Sequence, residues 1–450
     1  MTEERIVFIG GGAAGATAAL ETRKRNRDAK ITVIEAGPYP QYSCCALPFV
    51  LGREIETYEG ILIFDEGFYR DYGKLDLMLN TRVVGIDRES KMVICERCSV
   101  GYDKLVISTG SYAFVPPIPG IEGIGLGKRT FTYKFMPEAE ALDRAISDAN
   151  KVVVIGAGLV GIEVADALRR RGLDVTIVEL LPTVIHMMLD EDMARLVTDE
   201  LENMGIKLML GTKVEGIEET EGSVIVSIPG ERLEVDACVI ASGVRAETSL
   251  AKKAGLDVGM GIIVDDHMHT SDPDIYSCGD CIETTNAVTG RRTLDQLGSS
   301  AVRQARVVAA NLAGGDIAIR PTLSTSITHI GSLGVAAVGI TSNSARDSGF
   351  DVLTARFKGS TLPEYYPGGR EITIKLVFTP EKKLLGAQII GTDGVLARID
   401  TISAIMQLGG GLDELNYLET AYTPPLSPTI DPICLAAGAA LKKCERARRG

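Results

Sequence analysis

Ile6-Val7-Phe8-Ile9-Gly10-Gly11-Gly12-Ala13-Ala14-Gly15 stands near the start of the chain, and its reading decides the fold. Four apolar residues make a short buried strand that runs straight into a G-x-G-x-x-G turn. An Ala-rich helix over 16–28 follows. A second strand, Ile31-Thr32-Val33-Ile34, then ends at Glu35. Strand, glycine turn, helix, strand and terminal acid form the dinucleotide fingerprint in its required context. Gly10 permits the tight turn, Gly12 lets the backbone approach a pyrophosphate, and Gly15 lets helix and strand pack closely. The helix N-terminus offers free N–H groups and a positive dipole end to phosphates. Glu35 stands where a carboxylate accepts hydrogen bonds from a ribose.

A second unit repeats the plan. Lys151-Val152-Val153-Val154-Ile155 enters Gly156-Ala157-Gly158-Leu159-Val160-Gly161, a helix follows, and a strand over 175–178 ends at Glu179. One glycine turn alone also reads as a plain tight connection. Two complete units imply two dinucleotides. A carboxylate at Glu179 accepts from the 2′-hydroxyl of NAD and repels a 2′-phosphate. Leu180, Leu181 and Pro182 follow it, with no Arg, so NADH is favoured over NADPH.

The remaining pattern extends this plan. Short strands are expected at 81–86, 92–95 and 105–107, the last entering Ser108-Thr109-Gly110. The stiff Val115-Pro116-Pro117-Ile118-Pro119-Gly120 is a candidate domain crossing. Several strands between 207 and 243 end at Ser242-Gly243, echoing the approach to Gly110. A strand in 271–280 closes on a Gly279-Asp280 turn, where the Asp suits a polyol hydroxyl, and a long helix spans 296–313. After Pro321 come strands at 335–340, 350–357 and 371–378 and a helix at 394–408. The expected fold class is α/β: two Rossmann-like nucleotide-binding domains plus a C-terminal α+β dimerisation domain. Residues 1–120 and 262–325 form the first domain, 121–261 the second, and 326–450 the third.

Composition narrows the function. A net charge of −13 argues against a nucleic-acid partner. No apolar run reaches membrane-spanning length. The first strand begins almost at once, leaving no room for a signal peptide. Nine cysteines, an odd count, fit a reducing cytoplasm better than a paired secreted framework. The basic cluster Lys442, Lys443, Arg446, Arg448, Arg449 reads as a solvated tail. Cys95-Glu96-Arg97-Cys98 and Cys278-Gly279-Asp280-Cys281 have metal-ligand spacing. The second overlaps the Gly-Asp turn, however, and no metal is expected. His267 and His269 belong to an exposed polar turn, and Cys238 and Cys434 to packing.

The chain resembles the single-cysteine branch of the FAD-dependent pyridine nucleotide–disulfide oxidoreductases, the coenzyme A disulfide and NADH-dependent persulfide reductases above all. The resemblance covers residues 3–435. It is carried by the two glycine turns, Cys45-Ala46-Leu47-Pro48-Phe49, Ser108-Thr109-Gly110 and Cys278-Gly279-Asp280. In the C-terminal third it rests on Tyr365-Tyr366-Pro367-Gly368, Arg398-Ile399-Asp400 and Ala421-Tyr422-Thr423-Pro424-Pro425. It implies FAD on Gly10, Gly12, Ala13, Ala14, Gly15 and Glu35, with Asp280 at the ribityl or phosphate region. Ser43, Val83, Thr109, Gly110, Gly243 and Ala301 are implied as further cofactor contacts. NADH would use Gly156, Gly158, Leu159, Val160, Gly161 and Glu179, with Glu163 near the nicotinamide. The third domain would make a homodimer and send Tyr422, and either Tyr365 or Tyr366, to the partner's cysteine.

Cys45 is the expected nucleophile, attacking a disulfide or receiving sulfane sulfur; the alternative is an inert buried thiol. A nearby flavin and helix N-terminus would favour its thiolate. Cys44 is directly adjacent. It reads as a small side chain turned away, as a resolving thiol, or as half of a strained internal disulfide. Oxidase and peroxidase relatives usually carry His at the position of Ala13, so Ala13 tips the reading towards sulfur reduction. Three functions remain in view. The first is an NADH-dependent reductase of a coenzyme A disulfide, a coenzyme A persulfide or another small sulfur acceptor. The second is an NADH oxidase making peroxide or water. The third is a non-catalytic or electron-transfer flavoprotein.

Overall fold

The computed structural model describes residues 3–123 and 128–449. A parallel sheet of five strands runs in the order Ile275–Ser277, Lys104–Ile107, Arg5–Ile9, Lys30–Ile34, Asp76–Met78. Its inner strands are buried almost throughout, as strands covered on both faces must be. The helices Ala13–Arg25 and Gly298–Leu312 pack against each other beside it. A second parallel sheet has the order Lys207–Met209, Asp174–Val178, Lys151–Ile155, Ala237–Ile240, Thr130–Thr132.

Each sheet carries a three-stranded antiparallel companion. One is Val83–Asp87, Met92–Cys95 and Ser99–Gly101; the other is Gly216–Glu219, Val224–Ile228 and Glu231–Val235. The expectation of one plan used twice therefore describes the observed topology. Just past the strand ends at Ile107 and Ile240, Ser111–Ala113 pairs antiparallel with Val244–Ala246 and ties the two units together.

The third sheet is antiparallel throughout, in the order Ser326–Ile330, Leu333–Gly339, Leu384–Gly391, Glu371–Phe378, Leu353–Ser360. The architecture is mixed α/β with two Rossmann-like regions and a separate C-terminal α+β domain. The central strand of this last sheet, Leu384–Gly391, has no counterpart among the expected strands. Nor does the helix Met136–Ala145 in the second unit.

The basic C-terminal cluster is solvated, as expected, but belongs to a packed helix end rather than a loose tail. It ends the helix Pro432–Ala447, which buries Ile433, Cys434, Ala436, Ala437, Ala440 and Cys444. Lys443 Nζ donates to the Thr354 carbonyl at 2.7 Å. Asp431 caps the helix by accepting from Ile433 N at 3.0 Å and pairs with Arg398 at 2.8 Å.

The second and third units are joined by a buried ionic cluster. Lys375 Nζ lies 2.9 Å from Asp190 Oδ2 and also bonds Asp192. The Ser342 amide donates to Asp190 Oδ1 at 2.9 Å, and Asp190 N donates to Gln388 Oε1 at 2.9 Å.

Candidate active site

The two glycine turns separate residues the backbone needs from residues that leave space. Gly10 has φ +102°, and a Cβ there would lie 2.2 Å from the Ser108 carbonyl oxygen. A Cβ on Gly15 would fall 1.9 Å from the Gly10 oxygen. Ser108 Oγ staples this turn by donating to the Ile9 and Gly10 carbonyls at 2.9 and 3.0 Å. At Gly12 the backbone is extended, and a Cβ would meet nothing within 4 Å. The helix Ala13–Arg25 begins there with no side-chain cap and no acid in its first turn. Its first amides therefore face open space.

The second turn repeats this residue for residue. Gly156 has φ +109°, and its Cβ would sit 2.5 Å from the Ala241 oxygen; a Cβ on Gly161 would sit 2.0 Å from the Gly156 oxygen. Gly158 again faces open space, and the helix Leu159–Arg170 again starts uncapped. The terminal acids are held alike. Glu35 accepts from Gly11 N and Gly37 N, both at 2.7 Å. Glu179 accepts from Ala157 N at 2.7 Å and Leu181 N at 2.8 Å.

The Gly279-Asp280 turn closes on the first glycine turn. A Cβ on Gly279 would come within 2.9 Å of the Ala14 Cβ, and Gly279 N donates to Gln304 Oε1 at 2.7 Å. Asp280 Oδ2 accepts from Ser111 Oγ at 2.7 Å and pairs with Lys134 Nζ at 3.2 Å. Thr109 Oγ1 donates to the Glu247 carbonyl at 2.7 Å. Gly110 and Gly243 both take positive φ with nothing within 4 Å of a Cβ. Ala301 is buried in the first turn of its helix, and Val83 lies apart on the companion sheet.

Ser43 precedes a short 3-10 turn, Cys44–Ala46, which leads into the helix Leu47–Leu51. Leu47, Val50 and Leu51 are buried in the core of the second unit. A Cβ on Gly52 would lie 3.3 Å from the Ala167 Cα, so this segment packs tightly on the helix Leu159–Arg170. Arg53 clamps Asp143 with two bonds of 2.8 Å, and Tyr42 Oη accepts from Met136 N at 3.1 Å. A segment that leaves the first unit is thus anchored in the second and displays its cysteines at the junction.

Both thiols are free and open to solvent. Burial by the surrounding protein pushes the Cys45 thiol up, the Glu163 carboxylate adds to the rise, and Lys134 opposes it. Cys44 is raised by burial too, and Lys134 again opposes the rise. The expected readiness of the Cys45 thiolate is therefore not supplied by the protein's own groups; Lys134 offsets the rise only in part. Cys44 feels the charges of Lys134 and Asp280, as its neighbour does, and forms no internal disulfide. Glu163 is itself raised by burial and is held by Thr328 Oγ1 at 2.6 Å.

Residues 4–306 match the family model described as pyridine nucleotide-disulphide oxidoreductase, and residues 325–432 match its dimerisation domain. The chain belongs to the pyridine nucleotide-disulphide oxidoreductase family. An NADH oxidase of Methanocaldococcus jannaschii is 37% identical over 98% of this chain and 99% of its own. An NAD(P)H coenzyme A polysulfide/persulfide reductase of Pyrococcus horikoshii is 31% identical over 97% of this chain and 98% of its own. The solved NAD-dependent persulfide reductase from A. fulgidus superposes with a TM-score of 0.95 at 35% identity, covering 98% of this chain and 84% of that one.

As a pyridine nucleotide-disulphide oxidoreductase, the protein is an FAD- and NAD(P)H-dependent redox enzyme acting on a disulfide, a persulfide or oxygen. The first turn fits such a cofactor: the open space before Gly12 and the uncapped helix, with Gly279 packed on Ala14, form a cradle that a Cβ on Gly12 would enter. Tyr365 and Tyr422 share a hydroxyl–hydroxyl bond of 2.7 Å on an exposed face. Neither forms a hydrogen bond to Cys45 of its own chain, while Tyr366 stands outside the pair.

Lys134 is the residue that sequence reading missed. Its only local signal is a place just past the edge strand Thr130–Thr132, where the strand ends of such sheets meet ligands. Glu138 fixes its backbone by accepting from Lys134 N at 2.7 Å. Among the described residues the metal-type grouping is Asp265, Asp266 and His267, on the exposed turn expected for them. The two C-x-x-C pairs do not join it. No helix among the described residues is long and apolar enough to cross a membrane.

Proposed function

We propose that the protein uses NADH to reduce a coenzyme A disulfide or coenzyme A persulfide through Cys45. The observation that carries this reading is the position of Cys45. It is displayed between Glu163, on the helix that follows the second glycine turn, and the Asp280–Lys134 pair, beside the first turn. In this reading the first turn, Glu35 and Asp280 hold FAD, the second turn and Glu179 hold NADH, and residues 326–450 pair two subunits. Glu179, fixed by two amides, presents a carboxylate that suits a 2′-hydroxyl and repels a 2′-phosphate. The Tyr365–Tyr422 pair supports Tyr365 over Tyr366 as the second tyrosine that reaches the partner's site.

FAD, when bound, supplies the two-electron link between nicotinamide and sulfur. The chain supplies the rest. Cys45 loses its proton and attacks one sulfur of the substrate. The S–S bond breaks, and the outer thiol leaves with a proton. Lys134 provides the cation that both thiols face. For a disulfide, RSSR, NADH and one proton give two RSH and NAD⁺. For a persulfide, RSSH, NADH and one proton give RSH, hydrogen sulfide and NAD⁺.

The oxidase reading draws on the M. jannaschii relative. Ala13, an apolar residue at the first helix N-terminus, provides no side-chain proton donor there. Steady-state rates decide between the two. Coenzyme A disulfide or persulfide should be turned over faster than oxygen; faster oxygen turnover with no response to either sulfur substrate would reject the proposal.

A further inference from the structure

One cysteine pair lies outside the site. Met92–Cys95 and Ser99–Gly101 are joined by Glu96-Arg97-Cys98, so that two residues separate the cysteines, and Cys95 N donates to the Cys98 carbonyl at 2.9 Å. The next rung of the ladder is Ile94 opposite Ser99. Cys95 and Cys98 thus stand directly opposite each other. Such hydrogen-bonded partners have Cα atoms about 5.5 Å apart, inside the span of roughly 4.4–6.8 Å that a disulfide bridges. Directly opposite side chains also share a face.

The pair is asymmetric. Cys95 is buried at 5% exposure opposite Val83, and Cys98 is exposed. Burial first, and then the neighbouring Cys98 thiol, push the Cys95 thiol up to about 11. An accessible thiol beside a buried, protonated one is the arrangement of an attacking and a resolving cysteine.

We propose that Cys95 and Cys98 form a second thiol–disulfide centre, closed by a small-molecule disulfide and separate from Cys45. The Cys98 thiolate attacks one sulfur of the small disulfide. The S–S bond breaks, one small thiol leaves with a proton, and a mixed disulfide remains on Cys98. Cys95 then attacks the Cys98 sulfur, releases the second small thiol and closes the ring. The protein loses two electrons and two protons, and the small disulfide gains both. This inference does not depend on the native substrate of Cys45.

The sequence provides a direct readout. Trypsin cuts after Lys91, Arg97 and Lys104, so the two cysteines fall in separate peptides, 92–97 and 98–104. The holoenzyme is treated with excess oxidised glutathione, free thiols are alkylated, and the digest is mapped before and after reduction. The two peptides should be found joined, and should separate on reduction. Cys98→Ser should abolish the joined species and leave Cys95 unmodified, with NADH turnover of the fresh enzyme unchanged. Cys95→Ser should leave glutathione on Cys98. A lasting glutathione adduct on Cys98 of the wild-type chain, or two alkylated thiols, would overturn the proposal; the wild-type map decides even where a variant folds poorly.

Discussion

At the scale of single residues, the Glu163 carboxylate makes a charge on Cys45 costly. Glu163 is raised mainly by burial, so its carboxyl ionises later than an exposed one. Once ionised, it holds the neighbouring thiol protonated to higher pH. Glu163→Gln removes that charge and keeps an acceptor for Thr328. The midpoint for Cys45 alkylation, followed by peptide mass against pH, should therefore move down. An unchanged or higher midpoint would contradict the geometry. Cys45 could be singled out from its place after the first glycine fingerprint, and Glu163 through the family resemblance. Lys134 could not: it comes from the far edge of the other sheet, and only folding brings its ammonium to Asp280. The Tyr365–Tyr422 pair was hidden for the same reason, as two segments of the third domain must meet before the hydroxyls share a bond.

At the scale of elements, the glycines of one turn perform separable tasks. A methyl on Gly158 enters open space, whereas one on Gly161 strikes the Gly156 carbonyl. Gly158→Ala should keep the wild-type melting temperature and FAD content while raising the KM for NADH about tenfold or more, the mark of lost binding. Gly161→Ala should cost about 1–3 kcal/mol through overpacking, read as a lower melting temperature. Equal melting losses in the two variants would reject this division of labour. The glycine turns stood out in the sequence because type and spacing are local.

The strand Leu384–Gly391 did not stand out. It is buried along its whole length, so it lacks the alternation that marks a strand with one wet face. The last helix was not anticipated because five basic residues cluster at and just past its end, whereas its apolar residues recur at helical spacing and pack on the third sheet.

At the scale of the molecule, the ionic cluster around Lys375 fastens the second unit to the third. Lys375 is 8% exposed and Asp190 4%. Removing the cation strands a buried carboxylate, a loss of about 3–5 kcal/mol for such pairs. Lys375→Met should lower the melting temperature by several degrees, and adding Asp190→Asn should recover part of the loss. An unchanged melting temperature in Lys375→Met would show that the cluster fastens nothing. The same joint keeps the helix bearing Glu163 in register with Cys45, because Thr328 reaches Glu163 from the third sheet.

In the proposed function, one sulfur atom is the exit for electrons. The most direct measurement is an anaerobic titration of the holoenzyme with NADH and coenzyme A disulfide, with mass analysis of peptides carrying residue 45. Two thiols should form per NADH, with coenzyme A trapped on Cys45 when NADH is withheld; the Cys45→Ser variant should retain FAD and form no thiol. Undiminished thiol formation by that variant would contradict the central role of Cys45.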